Sequence, residues 1–143
     1  TGRTKHHINV FGEELIIENA ETALRKVSLL TNAEIVDYTA APIFMNGKEK
    51  GAHEWIIEFK SPPEDLNSFT ALLDSALQEV NSDYEAKRFN NTTLNAPKIH
   101  HARERLFYDW LKEKNKLGGQ HKVPRLSNTR DYLEELLNLN SSV

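Results

Sequence analysis

The sequence predicts an α+β domain, a small mixed β-sheet with helices packed on it. Three observations carry that expectation. Short runs rich in β-branched and aromatic residues are interspersed with longer segments whose apolar residues recur at helical spacing. The order reads β-α-β-β-α-β-α-loop-α, a pattern that layers helices against one sheet. A chain of 143 residues, 38% hydrophobic and 27% charged, is long enough to bury one core and has ordinary globular composition.

Taken in order, Thr4 to Val10 has the content of a short strand, and Gly12 can supply the turn after it. Glu13 to Leu30 predicts a helix through Ala20, Ala23, Leu24, Val27 and Leu30, with Asn32 as its stop. Glu34 to Met45 reads as a strand in which Pro42 marks an edge or an irregularity. The stretch from Asn46-Gly47 to Ala52 suits a loose hairpin, leading to a strand over His53 to Lys60. There Trp55, Ile57 and Phe59 alternate with Glu54, Ile56 and Glu58, predicting one buried face and one partly covered face.

Ser61-Pro62-Pro63-Glu64-Asp65 predicts a helix entry capped by Ser61. The helix follows through Leu66, Phe69, Leu72, Leu73, Ala76, Leu77 and Val80, and can run on to Arg88. Asn90 to Asn95 is a polar loop, and Pro97 to His101 a short strand. A helix carries Leu106, Phe107, Trp110 and Leu111, with both tryptophans expected in the core and their polar ends satisfied. A glycine-containing, basic loop spans Asn115 to Asn128, and a last amphipathic helix runs from Thr129 to Leu139.

Composition sets aside several functions. The net charge of −3 gives no overall attraction to nucleic acid or an anionic membrane, and no apolar run is long enough to span a bilayer. The lack of cysteine removes disulfides and thiolate chemistry, and fits a reducing, cytoplasmic setting. His6-His7 and His100-His101 are neighbours in expected strands, so each pair points to opposite faces and no metal site is expected. Thr1-Gly2-Arg3 opens abruptly, as a piece of a longer chain would; a trimmed small protein would open the same way.

Two segments carry chemistry. Gly2-Arg3-Thr4-Lys5 precedes the first strand, and an arginine can pin phosphate or ribose oxygens with two parallel hydrogen bonds. Leu117-Gly118-Gly119-Gln120-His121-Lys122-Val123-Pro124-Arg125 combines paired glycines, a stiffening proline and two cations. Such a loop can deliver a cation to a centre where negative charge develops. Its spacing is not that of a P-loop. Each segment alone reads first as an ordinary feature, a basic residue before a strand–turn–helix and a solvated surface loop.

Together they resemble the C-terminal domain of adenylate-forming enzymes, which opens on a Gly-Arg-x-Asp/Lys hinge and carries a lysine in a late glycine-containing loop. More closely, the chain is similar to the auxin-responsive-promoter family of acyl-acid amido synthetases. Thr1 to Leu24, Val80 to Arg88 with its Tyr84-x-x-x-Arg88, and Gln120-His121-Lys122-Val123-Pro124-Arg125 carry the likeness. A bacterial member is the expectation. The resemblance implies that residues 1–143 form one mobile C-terminal domain of a larger ligase, whose N-terminal domain binds ATP and the acyl substrate. It implies an acyl adenylate made from a carboxylic acid and ATP with Mg2+, then attacked by an amino acid. Lys122 would be catalytic, Arg3, Gln120 and Arg125 nucleotide-binding, with support of Lys122 a further role for Gln120 and Arg125. Lys5 would be the hinge, and Gly12 would lie in the loop used in the second half-reaction. Lys5 stands where many adenylate-forming enzymes have aspartate, and Glu14 stands where some relatives have arginine. No phosphate loop, adenine pocket or acyl pocket is legible, so the chain alone is expected to be inactive and to hold no cofactor tightly.

Two other readings compete. A non-enzymatic interaction domain could offer a sheet edge to a partner. Nucleic-acid binding could use Lys112, Lys114, Lys116, His121, Lys122, Arg125 and Arg130, although Glu113 and Asp131 interrupt that basic stretch and no known signature accompanies it.

Overall fold

The computed structural model describes residues 7–8, 15–43, 51–89, 94–113, 125–127 and 130–141. Strand β1 (His7–Ile8) pairs antiparallel with β2 (Leu15–Ile16), and helix α1 (Ile17–Thr31) follows directly. The helix expected from Glu13 therefore starts later. Leu15 and Ile16 answer the backbone groups of Ile8 and His7, a non-local partner that helical periodicity does not reveal. Asn32 ends α1 in the left-handed region at φ 58°, the conformation that an asparagine tolerates at a helix end.

Three strands form the main sheet in the order β3-β4-β5. Strands β3 (Glu34–Ile43) and β4 (Ala52–Ser61) are antiparallel, and β5 (Lys98–Ala102) lies parallel to β4. Pro42 sits in an edge strand, where a missing N–H costs the ladder nothing. Between β4 and β5 the chain forms α2 (Leu66–Val80) and α3 (Ser82–Arg88). The helix entry differs from expectation. Asp65, not Ser61, caps α2, accepting from Asn67 N at 3.1 Å and Ser68 Oγ at 2.8 Å. Prolines disfavour helical geometry in the residue before each of them, so Ser61 completes β4 instead.

The expected continuation of α2 also breaks. Asn81 turns extended at φ −144°, its N–H closing the end of α2 while its side chain accepts from Tyr84 N at 2.9 Å to start α3. Asn19 of α1 ties this joint down. Its side chain donates to Val80 O at 3.2 Å and accepts from Asn81 Nδ2 at 3.1 Å.

Both faces of the sheet are covered. Tyr38, Trp55, Ile57 and Phe59 pack with Ala20, Ala23, Leu24 and Val27 of α1 and with Phe69, Leu73 and Leu77 of α2. Ala41, Ile56 and Ala102 on the other face meet α4 (Leu106–Glu113) and α5 (Asp131–Ser141) through Leu106, Phe107, Trp110, Leu133 and Leu136. The face expected to be only partly covered is thus a second core layer. Trp110 Nε1 donates to Glu135 Oε1 at 2.9 Å, while Trp55 Nε1 is buried with no acceptor among the described residues.

Two carboxylates in β4 make that second layer possible. Glu58, buried, accepts from Arg105 N at 3.0 Å and Phe107 N at 3.2 Å and so caps α4. Glu54, also buried, accepts from Arg130 Nη2 at 2.8 Å and lies 2.6 Å from His100 Nε2. Arg130 Nη1 also donates to Pro42 O at 2.9 Å, so one guanidinium fastens the start of α5 to the sheet. Burial works to raise the Glu54 pKa, but the hydrogen bonds of His100 and Arg130 and their charges outweigh it and hold the carboxyl below 4.5. A depressed folded-state pKa means stability that is present above the unfolded value and lost as pH falls through the folded one. Urea midpoints measured from neutral pH down through 4.5 should therefore fall less steeply for Glu54→Gln than for the parent. Parallel profiles would show that Glu54 contributes no linkage.

Candidate functional site

Arg125, Leu126 and Ser127 lie along the outer edge of β3. Ala40 N donates to Arg125 O at 2.9 Å and Ser127 N to Ala40 O at 3.1 Å, an isolated parallel bridge between Ala40 and Leu126. Leu126 is fully buried and belongs to the first core layer, which explains why this short stretch holds to the sheet.

The Arg125 side chain folds back over the same strand. Its guanidinium carbon sits 5.0 Å from the centre of the Tyr38 ring, a cation–π contact. Nη1 faces Glu21 Oε1 of α1 at 3.5 Å, and Nη2 faces Asp37 Oδ1 at 3.7 Å. Tyr38 donates its hydroxyl to Glu21 Oε2 at 3.0 Å and is itself tilted against Trp55, ring centres 5.9 Å apart. Burial opposes the Arg125 charge, but Tyr38, Asp37 and Glu21 outweigh it and raise the pKa above the arginine norm. Burial, then the Glu21 charge, push the Tyr38 phenol well up, so it stays a donor at all working pH. Beside this group a cleft of about 460 Å³ runs between α1 and β3, lined by Arg25, Ser28, Leu29 and Val36 as well as Glu21 and Arg125.

Of the residues expected to act, only Arg125 is among those described. Arg3, Lys5, Gly12, Gln120 and Lys122 lie outside the described residues. The structure adds Asp37 and Tyr38, which nothing local links to Arg125, and brings Glu21 from the Thr1-to-Leu24 stretch of the resemblance to the same group. Tyr84 and Arg88, part of the resemblance, face inward to Asp74 in a separate cluster. Arg125 and Arg130, counted in the basic stretch, both face intradomain carboxylates. Among the described residues no helix is long and apolar enough to cross a membrane.

The fold is shared with solved structures of much larger proteins. One, a GH3.15 acyl acid amido synthetase, superposes with a TM-score of 0.75 at 19% identity, covering 96% of this chain and 27% of that one. Another, AtGH3.15 acyl acid amido synthetase in complex with 2,4-DB, gives a TM-score of 0.73 at 16% identity, covering 95% and 26%. The chain thus spans about a quarter of the length of the structures it matches, and its α+β fold is that of one of their domains. A sequence profile of the GH3 family C-terminal domain matches residues 18–131, and the chain belongs to that family. No curated protein matches it significantly by sequence.

Proposed function

We propose that this chain is the C-terminal domain of an ATP-dependent acyl acid amido synthetase, which adenylates a carboxylic acid and couples it to an amino acid. Family membership supports the reading, as do the similar structures that are named acyl acid amido synthetases. The observation that carries it is the fastening of Arg125-Leu126-Ser127 to β3, because that stretch ends the Gln120-to-Arg125 motif.

In the first half-reaction a carboxylate oxygen attacks the α-phosphorus of ATP, the bond to the bridging oxygen breaks, and pyrophosphate leaves. The Lys122 ammonium offsets negative charge gathering on the transferring group. In the second, the amino acid's amine attacks the acyl carbon, loses a proton, and AMP leaves with the C–O bonding pair. Rotation about Lys5 exchanges the Lys122 loop for the Gly12 loop between the two steps. Arg3 and Gln120 contact the nucleotide; Arg125, held among carboxylates, we assign to support of Lys122. ATP enters with magnesium as substrate, and among the described residues no three histidine or acidic side chains gather as ligands for the ion. The larger N-terminal domain of the same polypeptide supplies the nucleotide and acyl pockets.

Exchange of pyrophosphate into ATP across a panel of carboxylic acids tests the reading. The full-length polypeptide should exchange with at least one acid, and the 143-residue chain alone with none. Exchange by the chain alone would overturn the division of labour. A second reading, a non-enzymatic interaction domain, draws on Leu29 and Leu30, 77% and 60% exposed at the end of α1. It gains if the full-length polypeptide exchanges with no acid yet binds a protein partner through that patch.

A further inference from the structure

We propose that the cleft at the carboxyl ends of β4 and β5 binds a small organic anion, a carboxylate carried on an apolar body. The proposal stands apart from the reading of Lys122, since every residue it uses belongs to neither motif.

β4 and β5 run parallel, so both strands end on the same side of the sheet, where Glu58 is level with Ala102. Open sheets with parallel strands commonly take ligands at that end, where the chain leaves the ladder and side chains converge. Here the departing chain leaves a cleft of about 640 Å³, a volume suited to a small molecule. Lys60 from β4, His101 from β5, and Arg103 and Arg105 from the turn before α4 all line it.

Much of this positive charge is unanswered. Lys60 and Arg105 are exposed, and among the described residues neither meets a carboxylate at ion-pair distance. Arg105 holds its guanidinium carbon 4.4 Å from the centre of the Tyr108 ring, on a left-handed backbone at φ 67° that is uncommon outside glycine. Arg103 gives Nη1 to Asp109 Oδ2 at 2.8 Å, while its Nε is buried with no acceptor among the described residues. Two acids share the wall. Glu58 is buried and already accepts from the N–H groups of Arg105 and Phe107, and Glu104 is exposed, where solvent and salt screen it.

Val36, Phe59 and Pro62 line the same cleft and supply apolar contact. Val36 is 54% exposed, a surface that a bound ring or short chain would remove from water. Cations beside apolar surface favour an anion with an apolar body over a bare one. A guanidinium meets a carboxylate through two parallel N–H donors, and burial of the body adds to that attraction.

Benzoate is the probe, followed through the amide proton–nitrogen shifts of the 143-residue chain. A saturable titration below about 10 mM is expected, with the amides of Lys60 and of His101 to Arg105 moving together. Inorganic phosphate supplies charge without an apolar body, and benzamide the body without the charge; each should bind at least about tenfold more weakly. Lys60→Gln and Arg105→Gln change exposed side chains, so both should fold, and each should weaken benzoate about tenfold. Lys60→Arg keeps the charge and should stay within about threefold of the parent. Benzamide or phosphate binding as tightly as benzoate would overturn the proposal. So would a titration that never saturates, unaltered affinity in both glutamine variants, or shifts confined to residues away from the cleft. The outcome for Lys122→Ala in pyrophosphate exchange bears on none of these results, so the two readings can fail separately.

Discussion

In the full-length polypeptide, Lys122→Ala is expected to lower ATP–pyrophosphate exchange about 10²–10³-fold, roughly 3–4 kcal/mol of lost transition-state stabilisation. The size follows from when the charge is needed. Carboxylate and triphosphate are both anionic, and their closest approach comes at the transition state, where a cation matters most. The loss should therefore fall on kcat, with KM for the acid little altered. Lys122→Arg should recover only part of the rate, because a planar fork does not reproduce the compact point charge of an ammonium. Amide formation from a supplied acyl adenylate should stay close to the parent rate, since in the proposed cycle Lys122 has then left the centre. An unchanged exchange rate would take Lys122 out of the chemistry and favour an interaction domain.

The second large effect concerns stability. Arg88→Ala should destabilise the chain by about 3–5 kcal/mol, measured as a fall in the urea midpoint. Arg88 meets Asp74 through two parallel hydrogen bonds, Nε to Oδ1 at 2.8 Å and Nη2 to Oδ2 at 2.6 Å, with side chains only 12% and 13% exposed. Tyr84 donates to the same Oδ1 at 3.0 Å, and Arg88 Nη1 reaches Leu94 O at 3.2 Å. Removing the guanidinium leaves a buried carboxylate with two neutral donors, Tyr84 and Gln78, and frees the Leu94 carbonyl. A domain's whole stability is about 5–15 kcal/mol, so the variant should stand near its limit. Arg88→Lys should rescue little, because an ammonium cannot make the bidentate contact. A loss under about 1 kcal/mol would instead place the pair in the class of screened surface bridges.

These two residues also show what could be read in advance. Lys122 stands out in sequence because glycines and a proline surround it, and the role proposed for it comes from a resemblance to a family pattern. Tyr84 and Arg88 were legible only as a spacing. Asp74 lies ten residues before Tyr84 in a different helix, and no local signal announces an acid on the buried side of an amphipathic stripe. The same holds at Arg125, where the motif names the arginine but not Glu21, Asp37 or Tyr38. Helix limits failed for a related reason. Leu15 and Ile16 have ordinary helical character until Ile8 and His7 pair with them, and Asn81 looks like any polar helix residue until its side chain caps the next turn.

The sequence by itself determined the class of fold, the order of its elements apart from β2 and the break between α2 and α3, most of the core stripes of α1 and α2 (Leu30, expected in the first, is 60% exposed), and the family. Those properties rest on periodicity, turn chemistry and motif spacing, which act over a few residues and are written in the chain. Only the tertiary structure decided that β4 is buried on both faces, that Glu54 and Glu58 fasten α5 and α4 to it, and that Arg125 is gripped from α1 and β3. Each depends on a charged group meeting a partner far away in sequence. A buried charge is tolerable only where such a partner stands within hydrogen-bond reach, and that is a property of the assembled fold.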